Sequence, residues 1–159
     1  KGAAGTIGHV QQGAVAAGRD PLDIDYQAGG AVQFGNDIEL LLAPRRSGVA
    51  FTLGAMGSAT TNFYNDAYSR GGFETEARKV QQLWVEGQRE EAIQAVPDEL
   101  ILQTNFLGTT SEVTERVRSY REAGISVLRV QPEGADMQER LDSLGAIVDI
   151  VKSLNNDDC

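Results

Sequence analysis

The chain has 159 residues, 41% apolar and 23% charged, the composition of one globular domain or a piece of a larger one. Fourteen basic residues against 23 acidic ones give a net charge of −9, a field that repels phosphate backbones and anionic lipid, so neither nucleic acid nor a membrane surface is an expected partner. No apolar run approaches the roughly 18 residues of a bilayer span, and the one cysteine, Cys159, leaves no internal disulfide and no Cys-based metal site. A reducing cytoplasmic setting is the default, and Lys1 in place of Met reads as a cut or processed end.

In chain order, Ala4, Ile7, Val10, Ala14 and Ala17 recur at helical spacing, and Gly18 before Arg19-Asp20-Pro21 is a natural stop. Ile24 to Phe34 reads as a strand, in which Gly29-Gly30 marks a bulge or a close approach by another backbone. Asn36 or Asp37 caps the next helix, and Pro44 is expected to split it into a short piece and a second helix over Arg45 to Met56. Residues 60–102 read as helical in segments. Ala77, Val80 and Trp84 share one face, Gly87 is a stop, Ala92, Ile93 and Val96 form the next face, and Pro97-Asp98-Glu99 opens another helix.

Asn105 to Leu107 reads as a brief strand ending at Gly108, and Thr109 with Glu112 matches a capping box for a helix with Val113, Val117 and Tyr120 inward. Gly124 ends that helix, Ile125 to Val130 is a strand, and Pro132 and Gly134 turn into a last helix. There Met137, Leu141, Leu144, Val148, Val151 and Leu154 form a continuous apolar stripe. Strands alternating with helices predict an α/β fold with parallel pairing. Three strands do not complete such a sheet, so the chain reads as a segment of a larger fold.

Catalytic motifs are sparse. His9, the only histidine, sits on a helix and reads as a surface or interface residue; one His and a terminal Cys leave Ser-His-Asp and Cys-His catalysis without partners. Gly54-Ala55-Met56-Gly57-Ser58 lacks the Lys-Ser/Thr of a phosphate loop and reads as a helix break. Arg129 lies near the C-terminal end of a strand, where parallel folds build their sites; it either holds an anionic group or pairs with Glu133. Gln33 and Asn105 occupy comparable strand positions. Asn62, Tyr64 and Arg70 either line a ligand cavity or lock their segment onto its neighbours.

The string Gly54-Ala55-Met56-Gly57-Ser58 followed by Asn62-Phe63-Tyr64-Asn65 resembles the bacterial luciferase-like oxidoreductases, in particular the class using coenzyme F420. Gly72-Phe73-Glu74, Val80-Gln81, Val96-Pro97-Asp98-Glu99-Leu100, Leu107-Gly108 and Glu122-Ala123-Gly124-Ile125 continue the resemblance, with Ala17-Gly18-Arg19-Asp20-Pro21 upstream. It implies the C-terminal portion of a (β/α)8 TIM barrel. The three strands would be the sixth to eighth, the stretch between Gly35 and Thr104 a long helical crossover, and residues 1–159 the C-terminal half of a domain whose N-terminal half is absent. It further implies hydride transfer between coenzyme F420 and a small organic substrate at the C-terminal mouth, with an FMN-dependent monooxygenase as the alternative and no metal. The resemblance carries no catalytic or cofactor-binding residue over, so Arg129, Asn62, Tyr64 and Arg70 stand as candidate substrate contacts from their own chemistry. A homo-oligomer, or pairing with the missing half, is the expected assembly; a non-catalytic half-barrel module is the reading from another class.

Overall fold

The computed structural model describes residues 2–57 and 61–156. In chain order its elements are α1 (Gly2–Ala16), β1 (Gln27–Ala28), β2 (Ala31–Phe34), α2 (Ile38–Ala55), α3 (Phe63–Tyr68), α4 (Glu74–Val85), α5 (Arg89–Gln94), α6 (Asp98–Leu102), β3 (Phe106–Gly108), α7 (Thr110–Glu122), β4 (Val127–Leu128), β5 (Gln131–Pro132) and α8 (Met137–Asn156). They divide into two units, Lys1–Asn36 with Asn105–Cys159, and Asp37–Thr104.

The first unit is α/β. Every strand pair is parallel: β1 with β4, and β2 between β3 and β5. The two small sheets are stretches of one ladder, because the N–H groups of Arg129, Gln131 and Glu133 donate to the carbonyls of Ala28, Gly30 and Val32 at 2.9, 3.0 and 2.9 Å. Gly29 is the point of closest approach, where a Cβ would collide with the carbonyl oxygen of Arg129. This explains a glycine in mid-strand.

The strand order departs from the resemblance. Successive barrel strands are neighbours, which would place β3 between the other two; here β2 is central. The last strand covers the polar edge of β2 that would otherwise stand open.

Val32, Phe106, Val113, Val117, Ile147, Ile150 and Leu154 form the core under α7 and α8, and Phe34, Tyr120, Leu128, Val130 and Val151 pack against it. The Phe106 and Tyr120 rings meet edge to face at 5.1 Å. The expected capping box forms: Thr109 accepts the Glu112 N–H, and Glu112 accepts the Thr109 N–H at 2.7 Å. Arg116 on the same helix donates to the carbonyls of Asn105 and Leu107, satisfying two acceptors beside the edge strand β3.

The apolar stripe expected on α8 holds at Val151 and Leu154, which pack on the core, and is corrected at its first four positions. Its buried positions are Ser143, Ile147, Ile150 and Leu154, while Met137, Leu141, Leu144 and Val148 are exposed. The helix carries apolar residues on two adjacent faces, and the sheet takes the face with Ile147 and Ile150.

The second unit is helical. α2 packs on α4, α5 and α6, burying Leu41, Leu42, Ala50 and Leu53 from its own side, with Ala77, Val80, Ala92, Leu100 and Ile101 buried on the others. The break expected at Pro44 does not occur, and α2 runs through it. Pro44 removes one backbone donor, but buried leucines on both sides of it keep one face continuous. Asp37, not Asn36, supplies the cap, accepting from Glu39 and Leu40 N–H. Gly54 lies under the Trp84 ring with no room for a Cβ, and α2 ends at Ala55 as the helix-break reading expects; Ser58 to Thr60 lie outside the described residues. Arg46 ties the unit together by donating to the Val96 carbonyl at 2.8 Å, to Asp98 at 2.6 Å and to Glu39 at 3.1 Å. Its burial opposes the charge, but these two carboxylates outweigh that and raise its pKa.

Candidate functional site

In the first unit the C-terminal ends of β2 and β5 open on a cavity of about 380 Å³ lined by Gln33, Phe34, Thr110, Glu133, Gly134, Glu139, Asp142, Ser143 and Ala146. Several of these groups hold the loop after β5 in place. Ser143 Oγ donates to the Glu133 carbonyl at 3.1 Å, Glu139 accepts the Ala135 N–H at 2.7 Å, and Asp142 accepts from Gln138 at 2.9 Å. Three carboxylates and no cation line the space. Glu112 stands next to Thr110 at the start of α7; the hydrogen bonds from the Thr109 backbone and hydroxyl, then Arg116, hold its carboxyl below the usual range.

Arg129 is exposed, between β4 and β5. Its neighbours Leu128 and Val130 pack on the helix-side core, so by strand alternation Arg129 belongs to the opposite face of the sheet. Asn105 is a structural residue whose Oδ1 accepts the Ala31 N–H at 2.9 Å, joining the start of β3 to β2. His9 is exposed on α1.

In the second unit Asn65, Asp66, Ser69, Arg70, Glu74, Arg78 and Gln81 surround a polar cavity of about 650 Å³. It adjoins a kink between α3 and α4, where Gly72 adopts φ 103°. Arg78 pairs with Glu74 at 2.6 Å. Arg70 and Arg78 thus line one cavity from the two sides of the Gly72 kink, and the sequence reading missed Arg78.

Asn62 does not line this cavity. Its Oδ1 caps α3 by accepting from Tyr64 and Asn65 N–H, and its Nδ2 donates to the Leu53 carbonyl at 2.7 Å. Asn65 donates to the Ala77 carbonyl at 2.7 Å, so both asparagines lock α3 onto α2 and α4. Tyr64 is exposed, with its ring edge-on to Phe63 at 5.7 Å. Tyr68 is a neutral phenol whose pKa is raised by burial against the opposing effect of its hydrogen bond with Thr104.

Among the described residues no group of His, Cys, Asp and Glu is arranged to hold a metal ion, and no helix is long and apolar enough to cross a membrane. Among the described residues no histidine lines either cavity. The residues present can bind, orient and exclude water.

Compared with known proteins, residues 1–126 match the family model described as luciferase-like monooxygenase. The chain belongs to the luciferase-like monooxygenase family. A relative from Mycobacterium tuberculosis (strain ATCC 25618 / H37Rv), whose name proposes a coenzyme F420-dependent oxidoreductase, is 27% identical over 128 residues. That alignment covers 80% of this chain and 37% of the relative, so the chain spans little more than a third of the relative's length.

The cofactors of luciferase-like proteins carry a flat ring with a polar edge and an anionic tail. The mouth cavity offers Phe34 as an apolar surface, with the Gln33 amide and the Thr110 hydroxyl as hydrogen-bonding groups, a set suited to the ring edge. Its three carboxylates do not suit a phosphate. The mouth therefore fits the ring and not the tail.

Proposed function

We propose that this luciferase-like protein is an oxidoreductase that transfers hydride between coenzyme F420 and a small organic substrate. The observation that carries the reading is the cavity at the C-terminal ends of β2 and β5, the end at which parallel α/β folds assemble their sites. The relative's name supports F420 as the partner. When bound, the deazaflavin supplies the hydride chemistry, and the protein supplies position and a dry environment. Gln33 and Thr110 hold the ring edge, and Phe34 excludes water. Arg129, on the strand face turned away from α7 and α8 and so outside that cavity, is the contact for an anionic group of a substrate that reaches past the strand. In the second unit Arg70 and Arg78 offer a cationic pair at a polar cavity of their own, Asn62 keeps that segment in place, and Tyr64 offers an exposed aromatic contact.

In this reading the chain supplies strands six to eight of a (β/α)8 barrel and works in the cytoplasm, either with the complementary half or as a homo-oligomer. The family description names a monooxygenase, which favours one alternative, a monooxygenase that would use FMN in place of the deazaflavin. Absorbance and fluorescence titration of the longest expressed form with both cofactors tests the choice. Deazaflavin binding with substrate-dependent bleaching of its absorbance is expected; tight FMN binding with no deazaflavin binding overturns the proposal. With an anionic substrate, Arg129→Met raises KM about tenfold and leaves kcat nearly unchanged, the pattern of lost uniform binding.

A further inference from the structure

At the opposite end of the first unit, α7, the β4 segment and the second half of α8 line an open cavity of about 470 Å³. Its walls are aliphatic, with Val117 from α7, Leu128 and Val130 from the strand, and Ile147, Val151 and Leu154 from α8. Arg121, Lys152, Ser126 and Asn155 are the polar groups on its lining. Among the described residues no carboxylate lines it, in a chain whose 23 acidic residues outnumber its 14 basic ones. Asp25 and Asp149 approach from outside. Asp25 accepts from Ser126 Oγ at 3.2 Å, and Asp149 lies 4.0 Å from Lys152 in an exposed ion pair that contributes little in water. Arg121 Nη1 donates to the Leu154 carbonyl at 2.6 Å, which fixes its guanidinium at the junction of α7 and α8.

The cleft is open to solvent, and its volume and lining are those of a small-molecule pocket: mostly apolar, with a few polar groups. We propose that this cavity binds amphipathic monocarboxylates, with the hydrocarbon among Val117, Leu128, Val130 and Val151 and the carboxylate toward Arg121 and Lys152. The apolar walls supply the affinity, and the two cations select the sign of the head group. The site lies beside Ile125 and Ser126, where the strand begins, and is separate from the mouth cavity at the strands' other ends. A purely structural role for the two cations, offsetting the dipoles at the ends of α7 and α8, predicts no such binding.

Calorimetric titration of the 159-residue chain with decanoate, decan-1-ol and decylammonium decides between the two. Decanoate is expected to bind saturably to one site, with affinity rising about fourfold per methylene from octanoate to decanoate. Decylammonium should bind at least about tenfold more weakly. Lys152 is exposed, so Lys152→Glu should lower decanoate affinity about tenfold while the thermal midpoint stays put. Val148→Trp, at the cavity's rim, should exclude all three ligands. Absence of saturable decanoate binding, equal affinity for the three head groups, or unchanged decanoate affinity in Lys152→Glu overturns the proposal.

Discussion

At Gly29 a methyl group has nowhere to go, because its neighbour is the backbone carbonyl of Arg129, itself bound into the strand ladder. A flexible side chain swings aside; a strand carbonyl does not. Gly29→Ala should therefore cost about 3 kcal/mol, the upper part of the range for overpacking, read as a lowered urea midpoint. Gly145→Ala is the contrast. That glycine lies inside α8 with nothing within 4 Å of the added carbon, so alanine should stabilise by about 1 kcal/mol. Glu112 gives the residue scale a pH dependence. Its carboxyl is held below the usual range by the Thr109 backbone and hydroxyl, so its folded pKa lies under its unfolded one. The capping-box contribution is then complete above the unfolded value and disappears as the pH falls through the folded one. Urea midpoints followed from pH 7 downward should show this loss in the wild-type chain and a flatter acid limb in Glu112→Gln, and equal slopes would show that the box contributes nothing.

Among the elements, α8 separates what a sequence pattern reveals from what it leaves open. Apolar residues at Met137, Leu141, Leu144 and Val148 and at Ile147, Ile150 and Leu154 both satisfy helical spacing, on faces about 100° apart. Periodicity shows that a helix forms there without saying which face the sheet covers. The structure buries the second, so Ile147→Ala should cost about 3 kcal/mol while Leu141→Lys stays within about 0.5 kcal/mol in chemical denaturation. Helix ends are legible for the opposite reason, because their signals are local. Gly18, Gly87 and Gly124 all take positive φ at the stops read from the sequence, and Thr109 with Glu112 forms its box within four residues. Pro44 is a local signal overridden by packing, since Leu41, Leu42, Ala50 and Leu53 bury one face across it. The candidate site is legible only in parts. Arg70 and Gln33 each line a cavity, but Arg78 and Thr110 join them through helix geometry and strand pairing that no short motif encodes.

For the molecule as a whole, the open question is which strand lies beside which. Alternation of strands and helices makes parallel pairing legible, but the order depends on which edges compete for partners, a non-local property. Here β2 holds β3 on one side and β5 on the other, with Ala31 opposite Gln131. Paired parallel strands lie about 4.8 Å apart, inside the Cα range of a disulfide, whereas an intervening strand would put the same two positions at about twice that distance, beyond reach. In a Cys159→Ser background, the pair Ala31→Cys and Gln131→Cys should therefore oxidise to one intramolecular disulfide, seen as a loss of both free thiols in non-reducing mass analysis. If the proposed barrel assembles when its upstream strands are supplied, β3 moves between the two and the same pair should remain reduced. A pair that stays reduced in the 159-residue chain alone would mean that the strands already stand in barrel order. A pair that oxidises equally with and without the upstream strands would mean that the central position of β2 belongs to the fold itself.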